Sequence, residues 1–154
     1  MIDYILTLIF SFIGIIGGAV LALIAPEELK KGAKYWKILE WIIIAAIVIV
    51  LFLFAGILWA IIISAAIILL KILRKEYSAL AFALFASFFG NFLFLAGALI
   101  FLYGLAKGTL DAMEIVNEKN AKKNVFKAIF YVLRRNIFYL VIGFILLPFL
   151  IAYS

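Results

Sequence analysis

The stretch YSALAFALFASFFGNFLFLAGALIFLYGLA, residues 77–106, runs for thirty residues without a charged side chain. A second uncharged stretch of thirty, WIIIAAIVIVLFLFAGILWAIIISAAIILL, covers residues 41–70. Continuous apolar runs of about 18 residues or more are typical of transmembrane helices. Strands of membrane barrels instead alternate apolar and polar residues. The sequence therefore predicts an all-α, polytopic transmembrane bundle.

The composition indicates that lipid is the main solvent of the chain. Of the 154 residues, 70% are hydrophobic and 14% are charged, whereas an ordinary soluble domain is about half apolar and about a quarter charged. A chain of this length has too little interior to bury so much apolar surface in water. We therefore expect residues 1–154 to form one transmembrane domain in the cell membrane. The absence of Cys beside abundant Ile, Lys and Glu resembles thermophile compositions.

The number of membrane crossings depends on how each uncharged stretch folds. As one straight helix, thirty residues would be about 45 Å long, against a hydrocarbon core of about 30 Å. Each stretch has a glycine near its middle, Gly56 or Gly90, where it can divide into two shorter helices. We favour six spans, with four long spans as the alternative. The six predicted spans cover residues 4–25, 38–54, 57–73, 76–89, 92–108 and 137–153.

The distribution of charge predicts the orientation. The charged residues fall mainly into three clusters, at 27–40, 71–76 and 107–135, and the net charge is +6. With six spans all three clusters lie on one side, whereas with four spans the cluster at 71–76 lies on the other side. Basic loops are normally cytoplasmic. We therefore expect cytoplasmic basic loops and non-cytoplasmic termini, and we expect the basic charge to meet anionic lipid headgroups, not nucleic acid.

The adjacent Gly90 and Asn91 have two interpretations that follow the span count. With six spans they form an outer turn, because both residues tolerate positive φ. With four spans Asn91 lies near the bilayer centre, where a buried amide needs a partner on another helix or on a ligand. On that alternative, Asn91 and Ser87 are the candidate binding residues.

Small residues recur at helical spacing, as they do where transmembrane helices approach closely. The candidate packing residues are Gly14, Gly18, Ala79, Ala83, Gly90, Gly104 and Gly108. They indicate either packing inside one bundle, which we favour, or a surface for a partner subunit or a homo-oligomer.

The segment 107–136 is the largest polar region. KGTLDAMEIVNEK, residues 107–119, is predicted to prolong the preceding helix into the cytoplasm. AKKNVFKAIFYVLRRN, residues 121–136, has the pattern of an amphipathic interfacial helix, with Ile129, Phe130 and Leu133 on its apolar face. This helix could also pack on the end of the bundle or continue into the last span. Its candidate contacts with lipid headgroups are Lys123, Lys127, Arg134 and Arg135.

Residues suited to catalysis or metal binding are few. The chain has no His and no Cys, and the two uncharged stretches contain no proton-transferring or charged ligand of the kind that pumps use. Asp111, Glu114 and Glu118 share one helical face, which we interpret as a solvated face and not as a cation site. We therefore predict no catalytic residue, cofactor or metal site, and an enzyme is disfavoured.

Three functions remain open at the level of sequence. The favoured one is a non-enzymatic subunit, assembly factor or scaffold of a membrane complex. The first alternative is a transporter or channel for a small apolar or lipid-like solute, because glycine-interrupted helices often build binding sites near the bilayer midplane. The second alternative is an enzyme that modifies lipid headgroups at the cytoplasmic face.

Overall fold

The computed structural model describes residues 1–72, 75–119 and 125–153, without the side chains at 26–30, 116–119, 125–127 and 153. Regular structure in these ranges is helical, which confirms the predicted all-α class. The helices are α1 (Ile2–Ile24), α2 (Pro26–Phe54), α3 (Ile57–Ile72), α4 (Glu76–Phe89), α5 (Leu93–Lys119), α6 (Val125–Asn136) and α7 (Phe138–Tyr153).

Four stretches of helix in the described residues are long and apolar enough to cross a membrane, as expected for a multi-pass membrane protein. They are Ile2–Ile24, Lys31–Phe54, Leu93–Ile115 and Ala128–Ala152. The last of them joins α6 to α7, which are separated by Ile137 alone. α3 and α4 are also apolar but have only 16 and 14 residues.

Both long uncharged stretches are broken into two helices. Gly56, between α2 and α3, has φ +84°, and Asn91, between α4 and α5, has φ +56°. Gly adopts positive φ without strain, and Asn does so more readily than most other residues. The rings of Phe54 and Phe92, one beside each break, lie 5.4 Å apart. The two breaks therefore lie at the same end of the bundle, which we call the turn end.

The centre of the bundle is the contact between α1 and α5, which run parallel. A Cβ atom on Gly14 would overlap the carbonyl oxygen of Phe101, and one on Gly18 would overlap that of Leu105. Gly108 approaches the backbone of Ile15 equally closely. Close backbone approach of this kind is how small residues stabilise helix pairs in lipid.

α7 runs antiparallel to α1 and completes the bundle. The hydroxyl of Tyr4 donates to the carbonyl oxygen of Gly143 at 3.3 Å, and the hydroxyls of Ser11 and Tyr139 lie 2.5 Å apart. The Tyr4 ring also meets the ring of Phe88, at a centroid distance of 6.3 Å. Because Phe88 is next to the second break, the start of α1 lies at the turn end.

The polar segment after the second uncharged stretch behaves partly as predicted. α5 continues through it to Lys119, in agreement with the prediction of a prolonged helix. α6 buries Ala128, Val132 and Asn136, three residues spaced four apart, while Phe130 is 67% exposed. α6 therefore packs on the bundle through a face of smaller residues and leaves Phe130, on the predicted apolar face, uncovered by the protein.

Candidate binding cavity

Charged residues that flank the apolar stretches converge at the end of the bundle opposite the turn end. Each of the flanking residues Glu40, Lys71, Glu76 and Lys107 lies roughly fifteen residues from a helix break, or about 22 Å along a helix, so they reach a common level. α5 and α6 add three more residues just beyond that level. We call the set the charge cluster: Glu40, Lys71, Glu76, Lys107, Asp111, Glu114 and Arg135.

Lys107 forms the centre of the charge cluster. Its Nζ lies 2.7 Å from Glu76 Oε1 and 3.5 Å from Asp111 Oδ1. All three residues are buried, with exposures of 8%, 2% and 2% for Lys107, Glu76 and Asp111. Burying an unpaired charge costs on the order of several kcal/mol, and these contacts offset part of that cost for the three groups.

A second ion pair joins α2 to α3. Lys71 Nζ lies 3.4 Å from Glu40 Oε1 and 4.0 Å from the centroid of the Trp41 ring. The hydroxyl of Tyr103 links this pair to the centre, because it lies 2.8 Å from Glu40 Oε1 and 3.2 Å from Glu76 Oε1. The cluster is thus one connected network and not a set of isolated pairs.

Arg135 and Asn136 connect α6 to α5. Arg135 Nη1 lies 2.9 Å from Glu114 Oε2 and 3.4 Å from Asp111 Oδ1. Asn136 Nδ2 donates to Asp111 Oδ2 at 3.1 Å and to its own helix, at the carbonyl oxygen of Val132, at 3.0 Å. Asp111 therefore receives contacts from both helices through its two oxygens.

These residues surround a cavity of about 430 Å³, within the range of roughly 300–1,000 Å³ that is typical of ligand pockets. Four carboxylates and four cations line it among the described residues: Glu40, Glu76, Asp111 and Glu114, with Lys37, Lys71, Lys107 and Arg135. Trp41 and Leu110 supply the apolar wall. A charge-balanced, charge-lined cavity is suited to a polar ligand.

Two buried charged atoms on this cavity lack a hydrogen bond within the described part of the chain. They are Glu76 Oε2 and Lys71 Nζ. Buried polar groups in proteins are nearly always hydrogen-bonded, to protein or to ordered water. The pair thus offers one acceptor and one donor to a ligand.

A row of buried tyrosines extends from the charge cluster into the interior of the bundle. Tyr103 stacks on Tyr77 at a centroid distance of 6.0 Å, and Tyr77 meets Tyr139 at 4.7 Å. The hydroxyl of Tyr77 donates to the carbonyl oxygen of Ser11 at 2.8 Å. Tyr4 follows toward the turn end. Polar groups therefore continue from the cavity past the middle of the bundle.

The candidate binding residues Asn91 and Ser87 lie away from this cavity. Asn91 is exposed in the turn between α4 and α5, at the opposite end of α4 from Glu76. Ser87 is buried, and its hydroxyl donates to the carbonyl oxygen of Leu84 at 2.6 Å. The structure brings neither side chain to the charge cluster.

The candidate packing residues lie at helix contacts. Gly14, Gly18, Gly104 and Gly108 lie between α1 and α5. Ala79 and Ala83 are buried on α4, and a Cβ atom on Gly90 would meet the Phe92 ring and the carbonyl oxygen of Phe54.

Of the four candidate headgroup contacts, two have described side chains. Arg134 is exposed, whereas Arg135 turns toward the carboxylates of α5. Lys123 lies outside the described residues, and the side chain of Lys127 is among those not described.

The interpretation of Asp111, Glu114 and Glu118 as a solvated face was wrong at Asp111, which is 2% exposed. The reason is that α5 remains covered by α6 beyond the apolar stretch, so its polar face points into the protein. Glu114 pairs with Arg135, and the side chain of Glu118 is not described.

Glu40, Lys71, Glu76 and Lys107 were not recognised from the sequence as one group. Each was treated as part of a charged cluster at the end of an apolar stretch. A signal was nevertheless present, since all four lie at a similar distance in sequence from Gly56 or Asn91. Helices that meet at common breaks must bring such positions to a common level.

The described residues contain no group of three or more His, Cys, Asp or Glu side chains arranged to hold a metal ion. The carboxylates of the cluster face cations and do not converge on one point. No family model matches this sequence, and comparison with curated proteins and with solved structures likewise found no match.

Proposed function

We propose that the protein is a multi-pass membrane transporter that binds a small polar solute in the cavity of the charge cluster. The observation that carries this proposal is the buried Glu76 carboxylate, which lines the cavity and whose Oε2 has no hydrogen bond from the described residues. Ionisable groups embedded in membrane proteins are costly and typically mark substrate or ion pathways. A polar solute fits these linings better than the apolar solute considered from the sequence.

The proposal includes a topology of six crossings with the charge cluster at the cytoplasmic end. It is supported by the two helix breaks at one end of the bundle and by the basic residues at the other end. α3 and α4, with 16 and 14 residues, are about 24 and 21 Å long, which is short for a span but tolerable with local thinning of the bilayer. Both termini are then non-cytoplasmic.

The row of buried tyrosines supports a path for the solute beyond the cavity. Tyr77, Tyr103 and Tyr139 are buried. The Tyr103 hydroxyl bonds to Glu40, whereas the Tyr77 and Tyr139 hydroxyls both bond to Ser11, deeper in the bundle. Buried hydroxyls are unusual in a bundle whose only task is packing, because each must be satisfied in an apolar medium. They provide polar contacts along a route from the cytoplasmic cavity toward the turn end.

A role as a subunit of a larger membrane complex is the second proposal. It is supported by the small buried share of the peripheral helices, 28% for Lys31–Phe54 and 22% for Ala128–Ala152, against 56% for Leu93–Ile115. These faces are available to lipid or to a partner. The subunit proposal requires a second protein, whereas a transporter of this kind acts without one.

Uptake into liposomes tests the transporter. Purified protein is reconstituted, and uptake of labelled methylammonium, acetate and 4-aminobutyrate is compared with that of protein-free liposomes. We expect at least one solute to enter, and Glu76→Gln to slow its entry by about tenfold or more, as for loss of a charged hydrogen-bond partner. Gln keeps an oxygen that accepts from Lys107 and Tyr103 but leaves Asp111 as the carboxylate beside Lys107, so uptake is compared only after thermal unfolding shows that the variant is folded.

The matched control is Asp3→Asn, which neutralises an exposed carboxylate in the first turn of α1, at the turn end. Its uptake should equal that of the unmodified protein. If none of the three solutes enters faster than into protein-free liposomes, the proposed transport function is wrong. A single stable complex with another membrane protein, recovered from the native membrane, would then favour the subunit.

A further inference from the structure

We infer that the ligand of the cavity is a net-neutral zwitterion, with an ammonium group bound at Glu76 Oε2 and an anionic group bound at Lys71 Nζ. This inference rests on the proposed function, because it assumes that the cavity binds a solute. It adds the chemical class of that solute and names the residue that contacts each end.

The balance of charge around the cavity is the first argument. Among the described residues, four carboxylates and four cations line the cavity, so this part of the lining has no net charge when every group is ionised. A singly charged ligand would add one uncompensated charge beside the buried side chains of Glu76, Lys107 and Asp111, and an uncompensated charge at a buried position is costly. A zwitterion adds none.

Among the buried charged atoms of the cavity, those without a hydrogen bond from the described residues are the ones that a ligand can engage. Glu76 Oε1 already contacts Lys107 and Tyr103, whereas Oε2 accepts nothing among the described residues. Lys107 is held between two carboxylates, and so is Arg135. Lys71 has one carboxylate at 3.4 Å and donates no hydrogen bond within the described chain.

The cavity that contains Glu76 and Lys71 also has an apolar wall. The Trp41 ring lies against Lys71, and Leu110 also lines the cavity. Ligand sites typically combine a few placed polar groups with such apolar surface. The carbon chain that separates the two charges of a zwitterion fits this wall.

Two sources supply this chemistry: a soluble amino acid, or the headgroup of a zwitterionic lipid. The experiment measures binding to the purified full-length protein by calorimetry. The soluble probes are glycine, β-alanine, 4-aminobutyrate and 5-aminovalerate, which differ in the separation of their charges, with butylamine and butyrate as singly charged controls. Glycerophosphoethanolamine, a soluble headgroup, tests the lipid source.

We expect at least one zwitterion to bind about tenfold or more tightly than both butylamine and butyrate. If an amino acid does so, the source is soluble. If only glycerophosphoethanolamine does so, the source is lipid, and vesicles of phosphatidylethanolamine should compete where vesicles of phosphatidylglycerol do not.

Two substitutions assign the ends of the ligand. Glu76→Gln should weaken binding of the zwitterion and of butylamine but not of butyrate, whereas Lys71→Gln should weaken the zwitterion and butyrate but not butylamine. Asp3→Asn should change none of them. The comparison of probes on the unmodified protein needs no variant and therefore stands even if a variant fails to fold.

A singly charged probe that binds as tightly as every zwitterion would overturn the inference. It would not contradict the proposed transport function. The absence of binding by all of the zwitterions while methylammonium or acetate still enters liposomes would also overturn the inference. Failure of binding together with failure of all uptake would instead overturn the proposed function itself.

Discussion

At the scale of single residues, the fold depends on positions where a side chain would prevent the backbone from reaching its place. Gly18 lies against the carbonyl oxygen of Leu105, and Gly56 and Asn91 adopt positive φ at the breaks. The two kinds of position fail differently when they are substituted. A side chain added at a close contact such as Gly18 forces two helices apart. A substitution at Gly56 or Asn91 strains a turn without disturbing the packing elsewhere.

Gly18→Ala should destabilise the protein by about 1–3 kcal/mol, because the new methyl group forces α1 away from α5. Gly32→Ala is the matched control, since its Cβ atom would meet nothing closer than the Trp36 ring at 3.9 Å. Alanine is the better helix former, so the control should be neutral or slightly more stable. Thermal unfolding in detergent measures both. Equal melting temperatures would show that α1 and α5 do not meet at Gly18.

Asn91→Leu should cost about 1–2 kcal/mol because a branched side chain is strained at φ +56°. Asn91→Gly should cost little, since glycine adopts this conformation freely. Solute uptake should be unchanged in both variants, because Asn91 lies at the turn end, away from the cavity. Loss of uptake in a folded Asn91→Leu protein would instead return Asn91 to the binding site.

At the scale of secondary-structure elements, the charge cluster connects α6 to α5 and α2 to α3. α6 buries mostly small residues against the bundle and is tied to α5 by Arg135 and Asn136. α2 and α3 are joined at the same level by Glu40 and Lys71. Ion pairs of this kind are stabilising only while every member is present, because each removal leaves a buried charge behind.

Arg135→Gln should loosen α6 by about 1.5–3 kcal/mol, the usual effect of losing hydrogen bonds to a charged group. Hydrogen exchange should accelerate at α6 amides by roughly tenfold or more, while α1 amides exchange as before. Arg134→Gln is the adjacent control, because Arg134 is exposed. If both variants exchange alike, Arg135 does not hold α6 in place.

At the scale of the whole molecule, the two ends of the bundle have opposite characters. The turn end carries Gly56 and Asn91, and the other end carries the charge cluster. This polarity follows from folding each uncharged stretch back at its middle, which returns the flanking charges to one level. The same folding is the basis of the proposed six crossings.

Labelling of single cysteines tests the topology, since the chain has none of its own. Cysteines are placed at Lys34, Lys75 and Asn91, all exposed, and treated in intact cells with a membrane-impermeant thiol reagent. We expect Asn91 to react and both lysine positions to be protected, because basic loops are normally cytoplasmic. Labelling at Lys75 with protection at Lys34 would indicate four crossings and would contradict the proposed arrangement.

The apolar stretches alone were enough to predict an all-α membrane protein, because lipid requires each backbone group to bond within its own helix. The extension of α5 through the polar segment to Lys119 was predictable for a similar reason, since helical spacing is a local property of the chain. The face that α6 buries was not predictable locally. It depends on which residues the neighbouring helices can accommodate.

The sequence indicates that the charges of the cavity reach a common level, but their burial could not be predicted from it. Glu40, Lys71, Glu76 and Lys107 lie in four different helices, and each alone is indistinguishable from a solvated residue at the end of a span. Their burial arises only when the helices meet and exclude water from the groups between them. The sequence by itself determined the all-α class and the presence of helices apolar enough to cross a membrane, because both follow from local apolar pattern. Only the tertiary structure decided which charges face each other, because long-range packing brings them together.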